Sequence, residues 1–200
     1  MRTMPSLATI RARLAEEVSP EVLTHTEATV ELARTIAHAH GVDQERVVLA
    51  ALLHDVAEGY SDRKLAQLAE RYNLTVDLTE ARVPKLLHAP VGAEVLRREW
   101  DIDDEEILDA VRDHVTGSTH MGPIAKVLFL ADKLEPSRDR FYGGLNSVRT
   151  LAMTDLDAAM RKLYAWRLSE LVDADRPIHA RFVAARNLAM EQARADTLYG

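Results

Sequence analysis

A chain of 200 residues, 47% apolar and 28% charged, is long enough to bury a full core without disulfide or metal staples. Its net charge of −7 argues against broad binding to nucleic-acid polymers or anionic membranes through phosphate. It has no cysteine, which excludes disulfides and thiolate metal ligands and makes the cytoplasm the expected compartment.

The opening stretch, "MRTMPSLATIRARLAEEV", lacks the continuous apolar centre and cleavage site of a secretory signal, and it reads as a helix or arm over 1–18. No apolar run approaches the roughly 20 residues that a transmembrane helix needs. "SPEVLTHTEATVELARTIAHAHG" then predicts a helix with Ser19 as N-cap, Pro20 at its first position and Gly41 as its stop. "DQERVVLAALLHDVAEG" predicts a second, apolar on all sides, from Asp43 to Gly59. "SDRKLAQLAERY" is a short amphipathic helix, and "APVGAEVLRREW" begins another at Pro90, just after His88. "DDEEILDAVRDHVTG" carries acidic residues in its first turn, where the helix dipole favours them, and ends near Gly117. "GPIAKVLFLADKLEP" is stopped by Pro136, "PSRDRFYGGLNS" reads as the one long loop, and two further helices follow in "TDLDAAMRKLYAWRLSELV" and "HARFVAARNLAMEQARAD". No segment alternates with period two, so the expected fold is all-α, one compact domain over 1–200.

Chemistry concentrates in a few polar residues on these apolar segments. His25 opens the face of the Ser19 helix, and His54 and Asp55 end the apolar helix. His88 precedes a helix start, His114 closes a helix, and Asp132 lies within "VLFLADKLEP". Taken singly, each reads as an ordinary hydrogen-bonded core residue or ion-pair partner. Together they form an ordered set of four histidines and two aspartates. Neutral imidazoles with carboxylates suit a borderline divalent ion such as iron, manganese or zinc. A buried charge needs a partner, and a metal supplies one for His54 and Asp55. Trp100 and Trp166 read as packing residues, and His38, His40 and His120 as surface or loop residues.

The stretches "LLHDVA", "LLHAPVGAEVL", "ILDAVRDHVTG" and "LADKLEPSRD" carry a resemblance to the HD-domain phosphohydrolase superfamily. More closely, the chain resembles the YqeK family of symmetrical bis(5'-nucleosyl)-tetraphosphatases, over roughly His25 to Phe182. The resemblance implies an all-α HD domain, with 19–182 carrying the pattern and 183–200 completing the last helix. It implies that His25, His54, Asp55 and Asp132 hold iron, for which manganese or another divalent ion can substitute. It sets His88 and His114 toward the substrate phosphates or a second ion, with Asp55, His88 and His114 catalytic. Val115, Asp132, Arg138 and the segment Pro177, Ile178, His179, Ala180, Arg181 and Phe182 would contact the nucleotide. The implied reaction is hydrolysis of diadenosine tetraphosphate to two ADP, with His88 or His114 protonating the leaving oxygen.

The chain departs from the family pattern at Val22, where an Arg is usual, at Glu58, where a Lys is usual, and at Val115 and Ser118. Three of these exchanges remove positive charge near the expected phosphate site. Lys126, Lys133, Arg140 and Arg181 are candidates to compensate. The alternatives are an HD-type nucleotide phosphatase of other specificity and a catalytically weak nucleotide sensor. Oligomeric state stays open, a homodimer being one option.

Overall fold

A computed structural model of the chain describes residues 6–140 and 144–199, without the side chains of Arg140 and of 195–199. It contains eleven α-helices and, among the described residues, no strand. In chain order they are α1 Leu7–Glu17, α2 Pro20–His40, α3 Gln44–Leu53, α4 Asp62–Arg71, α5 Leu78–Arg82, α6 His88–Glu99, α7 Glu105–Asp113, α8 Pro123–Leu134, α9 Asn146–Ala152, α10 Leu156–Asp173 and α11 Ala180–Tyr199. No helix is long and apolar enough to cross a membrane.

Local chemistry sets most boundaries. Ser19 accepts a hydrogen bond from the Val22 amide, and Gly41 leaves α2 in the left-handed conformation at φ 64°. Asp43 and Asp104 cap α3 and α7 in the same way. Every residue from Val47 to Leu53 is buried, as a helix apolar on all sides requires, and α3 packs against α2, α7 and α8. The core runs continuously from Ile10 on α1 to Ala185 on α11. Cutting Leu52 to alanine at the centre of this packing would cost about 2–5 kcal/mol.

Three boundaries differ from the sequence expectation. The helix expected to reach Gly59 ends at Leu53, because the backbone switches to bonds spanning three residues: Val56 to Leu53, Glu58 to Asp55 and Tyr60 to Ala57. That switch matters to function. The tighter turns that follow α3 carry His54 and Asp55, and both side chains reach the same pocket. Helix α6 starts at His88 rather than Pro90, which its first turn tolerates for lack of need for an amide donor. The expected loop "PSRDRFYGGLNS" contains a 3-10 helix, Pro136–Arg140, and leads into α9. Three further elements were not anticipated: α5, α9, and a 3-10 helix at Pro84–Leu87 that delivers His88.

Candidate metal centre

Five segments deliver the six predicted residues to one place: α2 brings His25, the turn after α3 brings His54 and Asp55, α6 brings His88, the end of α7 brings His114, and α8 brings Asp132. Their ligand-type atoms group as His25–His54–Asp55, His54–His114–Asp132 and Asp55–His88–His114, each within 4.8 Å. Asp55 belongs to two of the sets. Its Oδ2 faces His54 Nε2 at 3.3 Å and His25 Nε2 at 3.8 Å, while its Oδ1 faces His114 Nε2 at 3.3 Å and His88 Nε2 at 3.4 Å.

The outer nitrogens of the four rings decide the tautomers. Nδ1 of His54, His88 and His114 lies 2.8, 2.6 and 2.7 Å from the carbonyls of Ala51, Lys85 and Val111, in each case three residues back. A carbonyl only accepts, so each of these Nδ1 atoms carries the proton. Nδ1 of His25 meets the buried Glu135 carboxylate at 3.1 Å, to the same effect. In the neutral rings, every Nε2 therefore presents a lone pair inward, toward carboxylate oxygens. His88 and His114 even face each other, Nε2 to Nε2, at 3.1 Å. His54 Nε2 is fully buried and has no hydrogen-bond partner. Lone pairs facing lone pairs and carboxylates are repulsive unless a cation sits among them. The donor set, nitrogen and oxygen with each imidazole tied on its outer side, fits a divalent metal.

Electrostatics points the same way. Burial favours the neutral form of His54, yet Asp55 and Asp132 outweigh it and raise its pKa to about 9. Burial pushes Asp55 up, but His54, His114 and His88 hold it well below the usual carboxylate range; Lys133 and His25 do the same for buried Asp132. The pocket thus demands positive charge. Lys133 supplies part of it, donating to Asp132 Oδ2 at 2.6 Å and to the His114 carbonyl at 2.7 Å. Arg138 supplies more, with Nη2 3.1 Å from both Asp132 Oδ1 and His25 Nε2.

His114 was expected to face the substrate phosphates or a second ion, with a role as proton donor among the options. Its side chain is 2% exposed, against 12% for His88, and burial with help from His54 and His88 lowers its pKa to about 4. A neutral ring with its proton on Nδ1 has none to give from Nε2, so the geometry favours a ligand over the proton donor allowed above.

The remaining predicted residues divide. Val115, Pro177, His179 and Phe182 line a mainly apolar recess that begins immediately after His114, along with Thr116, Val83, Leu86 and Leu171. Gly117 is required beneath it: φ is +68°, and a Cβ there would collide with the Tyr164 hydroxyl. Arg181 does not line the recess; it pairs with buried Asp113, fastening the start of α11 to α7. Ile178 packs on the core, and Ala180 begins α11. Among the candidate compensating cations, Lys126 pairs with Asp157, and the side chain of Arg140 lies outside the described residues. Glu58, the charge-reversing departure, is neutralised by Lys85 at 2.8 Å. His40, expected at the surface, is half-buried and bonded to the Ala152 carbonyl at 2.7 Å.

Sequence reasoning missed Glu135, which anchors both His25 and, through Ser137, the turn after α8. It also missed a second cluster. Asp77 and Glu80 form a capping box at the start of α5, and His179 Nε2 lies 3.0 Å from Asp77 and 3.5 Å from Glu80. The spacing Asp-x-x-Glu before a helical turn was the available signal for the box.

Residues 22–137 match the family model described as HD domain. A protein of Halalkalibacterium halodurans named bis(5'-nucleosyl)-tetraphosphatase, symmetrical, is 36% identical over 169 residues, covering 84% of this chain and 89% of the relative. The Bacillus subtilis protein of the same name is 34% identical over 160 residues, or 80% of this chain and 82% of the relative. A Clostridium acetobutylicum crystal structure, described as a predicted HD superfamily hydrolase involved in NAD metabolism, superposes with a TM-score of 0.89 at 25% identity, over 95% of this chain and all of that one. The chain belongs to the HD-domain family, in the group of the symmetrical bis(5'-nucleosyl)-tetraphosphatases.

Proposed function

We propose that this chain is a metal-dependent hydrolase that cuts a dinucleoside tetraphosphate, diadenosine tetraphosphate foremost, between its two central phosphates to give two nucleoside diphosphates. The observation that carries the reading is the set of four Nε2 lone pairs converging on Asp55 and Asp132. His25, His54, Asp55 and Asp132 would hold one ion, iron in the native protein, and Asp55 with His88 and His114 a second. When bound, divalent metal supplies Lewis-acid charge and an activated water near neutral pH.

The chain's own residues do the rest. Glu135 and the three carbonyls hold the rings in one tautomer and orientation, so no reorganisation is needed during reaction. Arg138 neutralises Asp132 in the metal-free state; once that charge is met by a metal, the guanidinium is placed to grip phosphate bidentately. The recess beside Val115 and Phe182 takes a nucleoside. The leaving group needs little proton transfer, because a terminal phosphate has its second pKa near 6 and departs as an anion. Charge neutralisation by Arg138 and Lys133 is the larger requirement. We place this activity in the cytoplasm, a compartment in which a cysteine-free chain is ordinary.

Product analysis tests the proposal. Incubated with diadenosine tetraphosphate and iron or manganese, the protein should yield ADP alone, two for each substrate consumed. Nucleoside with inorganic phosphate, or AMP with ATP, would overturn the symmetrical assignment. Thermal stabilisation by the dinucleotide with no turnover would favour the sensor reading.

A further inference from the structure

A dinucleotide cut at its centre has two equal halves, and they must leave the reaction centre in different directions. Among the described residues, two recesses open beside the metal pocket. The first is the apolar one that begins at Val115. The second lies beside Asp132 and is lined by Lys133, Arg138, Trp166 and Arg167. Arg167, on α10, lines both. The two differ in character: the first sets Leu171, Pro177 and Phe182 beside Arg176, while the second gathers Lys133, Arg138 and Arg167 around the Trp166 indole.

Resting on the function proposed above, we propose that this second recess is the subsite for the departing nucleoside diphosphate half, and that Arg167 is the residue that grips its phosphates. The choice of Arg167 follows from what the other cations are doing. Lys133 is buried and committed to Asp132 and the His114 carbonyl at 2.6 and 2.7 Å. Arg138 faces the metal pocket, through Asp132 Oδ1 at 3.1 Å and the Asp132 carbonyl at 3.2 Å, and serves the phosphates at the reaction centre itself. Among the described residues Arg167 pairs with Glu170, one turn along its own helix, the two side chains being 24% and 23% exposed. Exchanging Glu170 for phosphate replaces one anionic partner by another, so the partly buried guanidinium is not left unpaired. A guanidinium then meets phosphate oxygens with two parallel donors. Trp166 is the preceding residue; it packs against the core and is half-buried, and its indole also lines the recess. The recess therefore combines cations for phosphate with an aromatic side chain, next to Asp132 of the metal pocket.

The test uses the full-length, metal-loaded protein. Steady-state kinetics with diadenosine tetraphosphate should show KM raised about 10- to 100-fold in Arg167→Gln, the loss expected for one charged hydrogen bond. The turnover number should change far less, and Arg167→Lys should recover part of the loss. An independent readout comes from fluorescence. The chain has two tryptophans, so Trp100→Phe leaves Trp166 as the sole reporter. A non-hydrolysable dinucleotide with a methylene bridge between its central phosphates should quench Trp166, and the Arg167→Gln change should shift that titration to higher concentration. An unchanged KM and an unmoved titration in Arg167→Gln would overturn the subsite. Failure of the wild type to make ADP would overturn the functional reading instead, and the titration would still decide whether the recess binds the dinucleotide.

Discussion

The pocket around His54 and the cluster around His179 use the same residue types at similar spacing, and they differ in which ring nitrogen carries the proton. In the pocket, backbone carbonyls and Glu135 accept from every Nδ1, so in the neutral rings the inward Nε2 atoms carry lone pairs. Around His179 the polarity is reversed. The Arg181 amide donates to Nδ1 at 3.1 Å, so the neutral ring carries its proton on Nε2, 3.0 Å from Asp77 and 3.5 Å from Glu80 but without hydrogen-bond geometry to either. The other oxygens of those carboxylates already cap α5. Residue type and distance nominate both as metal sites, and only the hydrogen bond on the far side of the ring separates them.

The contrast can be broken most forcefully at His54. His54→Ala should lose both tight metal and turnover, the latter by more than about 10²-fold, since even outer partners of metal ligands are worth 10–100-fold. Metal content and rate on the same preparation check this, and an active, metal-replete variant would contradict it. Glu135→Gln probes the outer shell alone. It keeps the shape but weakens the anchor for His25 Nδ1–H, and metal affinity should fall by about 10–100-fold by competition with a chelator. Unchanged affinity would show that the outer bond does not set the ring.

The proton on His54 gives a pH test. In the metal-free protein its pKa is raised to about 9 from a usual value near 6.5. A raised folded-state pKa stabilises fully below about 6.5, and that contribution fades as pH climbs through about 9. Metal needs the same lone pair, so loading should release a proton and tighten with rising pH by at most about tenfold per unit. Calorimetric titration in two buffers of different ionisation enthalpy measures the release, and none at pH 7.5 would contradict the assignment. The smallest effect belongs to the other cluster. His179→Ala should leave metal content unchanged and cost about 1–3 kcal/mol in denaturant unfolding, by leaving buried Glu80 and its neighbour Asp77 without their shared partner. A drop in metal content would erase the distinction between the clusters.

Much of this was legible in the chain. Caps at Ser19, Asp43 and Asp104 and stops at Gly41 and Pro136 mark helices whose apolar faces repeat at helical spacing. All six residues of the metal set stand out by their placement on apolar segments or at helix ends. What escaped is short or relational. Helices α5 and α9 have 5 and 7 residues, too few for a periodicity to register. The end of α3 was hidden because the apolar run continues through Val56 and Ala57 while the backbone changes its bonding. The burial of His114, the anchor at Glu135 and the tautomers depend on which groups meet across the fold, and no local pattern encodes that.

The central claim is that all four Nε2 atoms serve cations, with Asp55 shared between two of them. Elemental analysis of wild type and His114→Ala, purified identically from iron-sufficient cells, tests it most directly. The account predicts about two ions per chain in the wild type and about one in His114→Ala, which retains the His25, His54, Asp55 and Asp132 set. Equal metal content in the two proteins would place His114 outside the metal's reach and contradict the account.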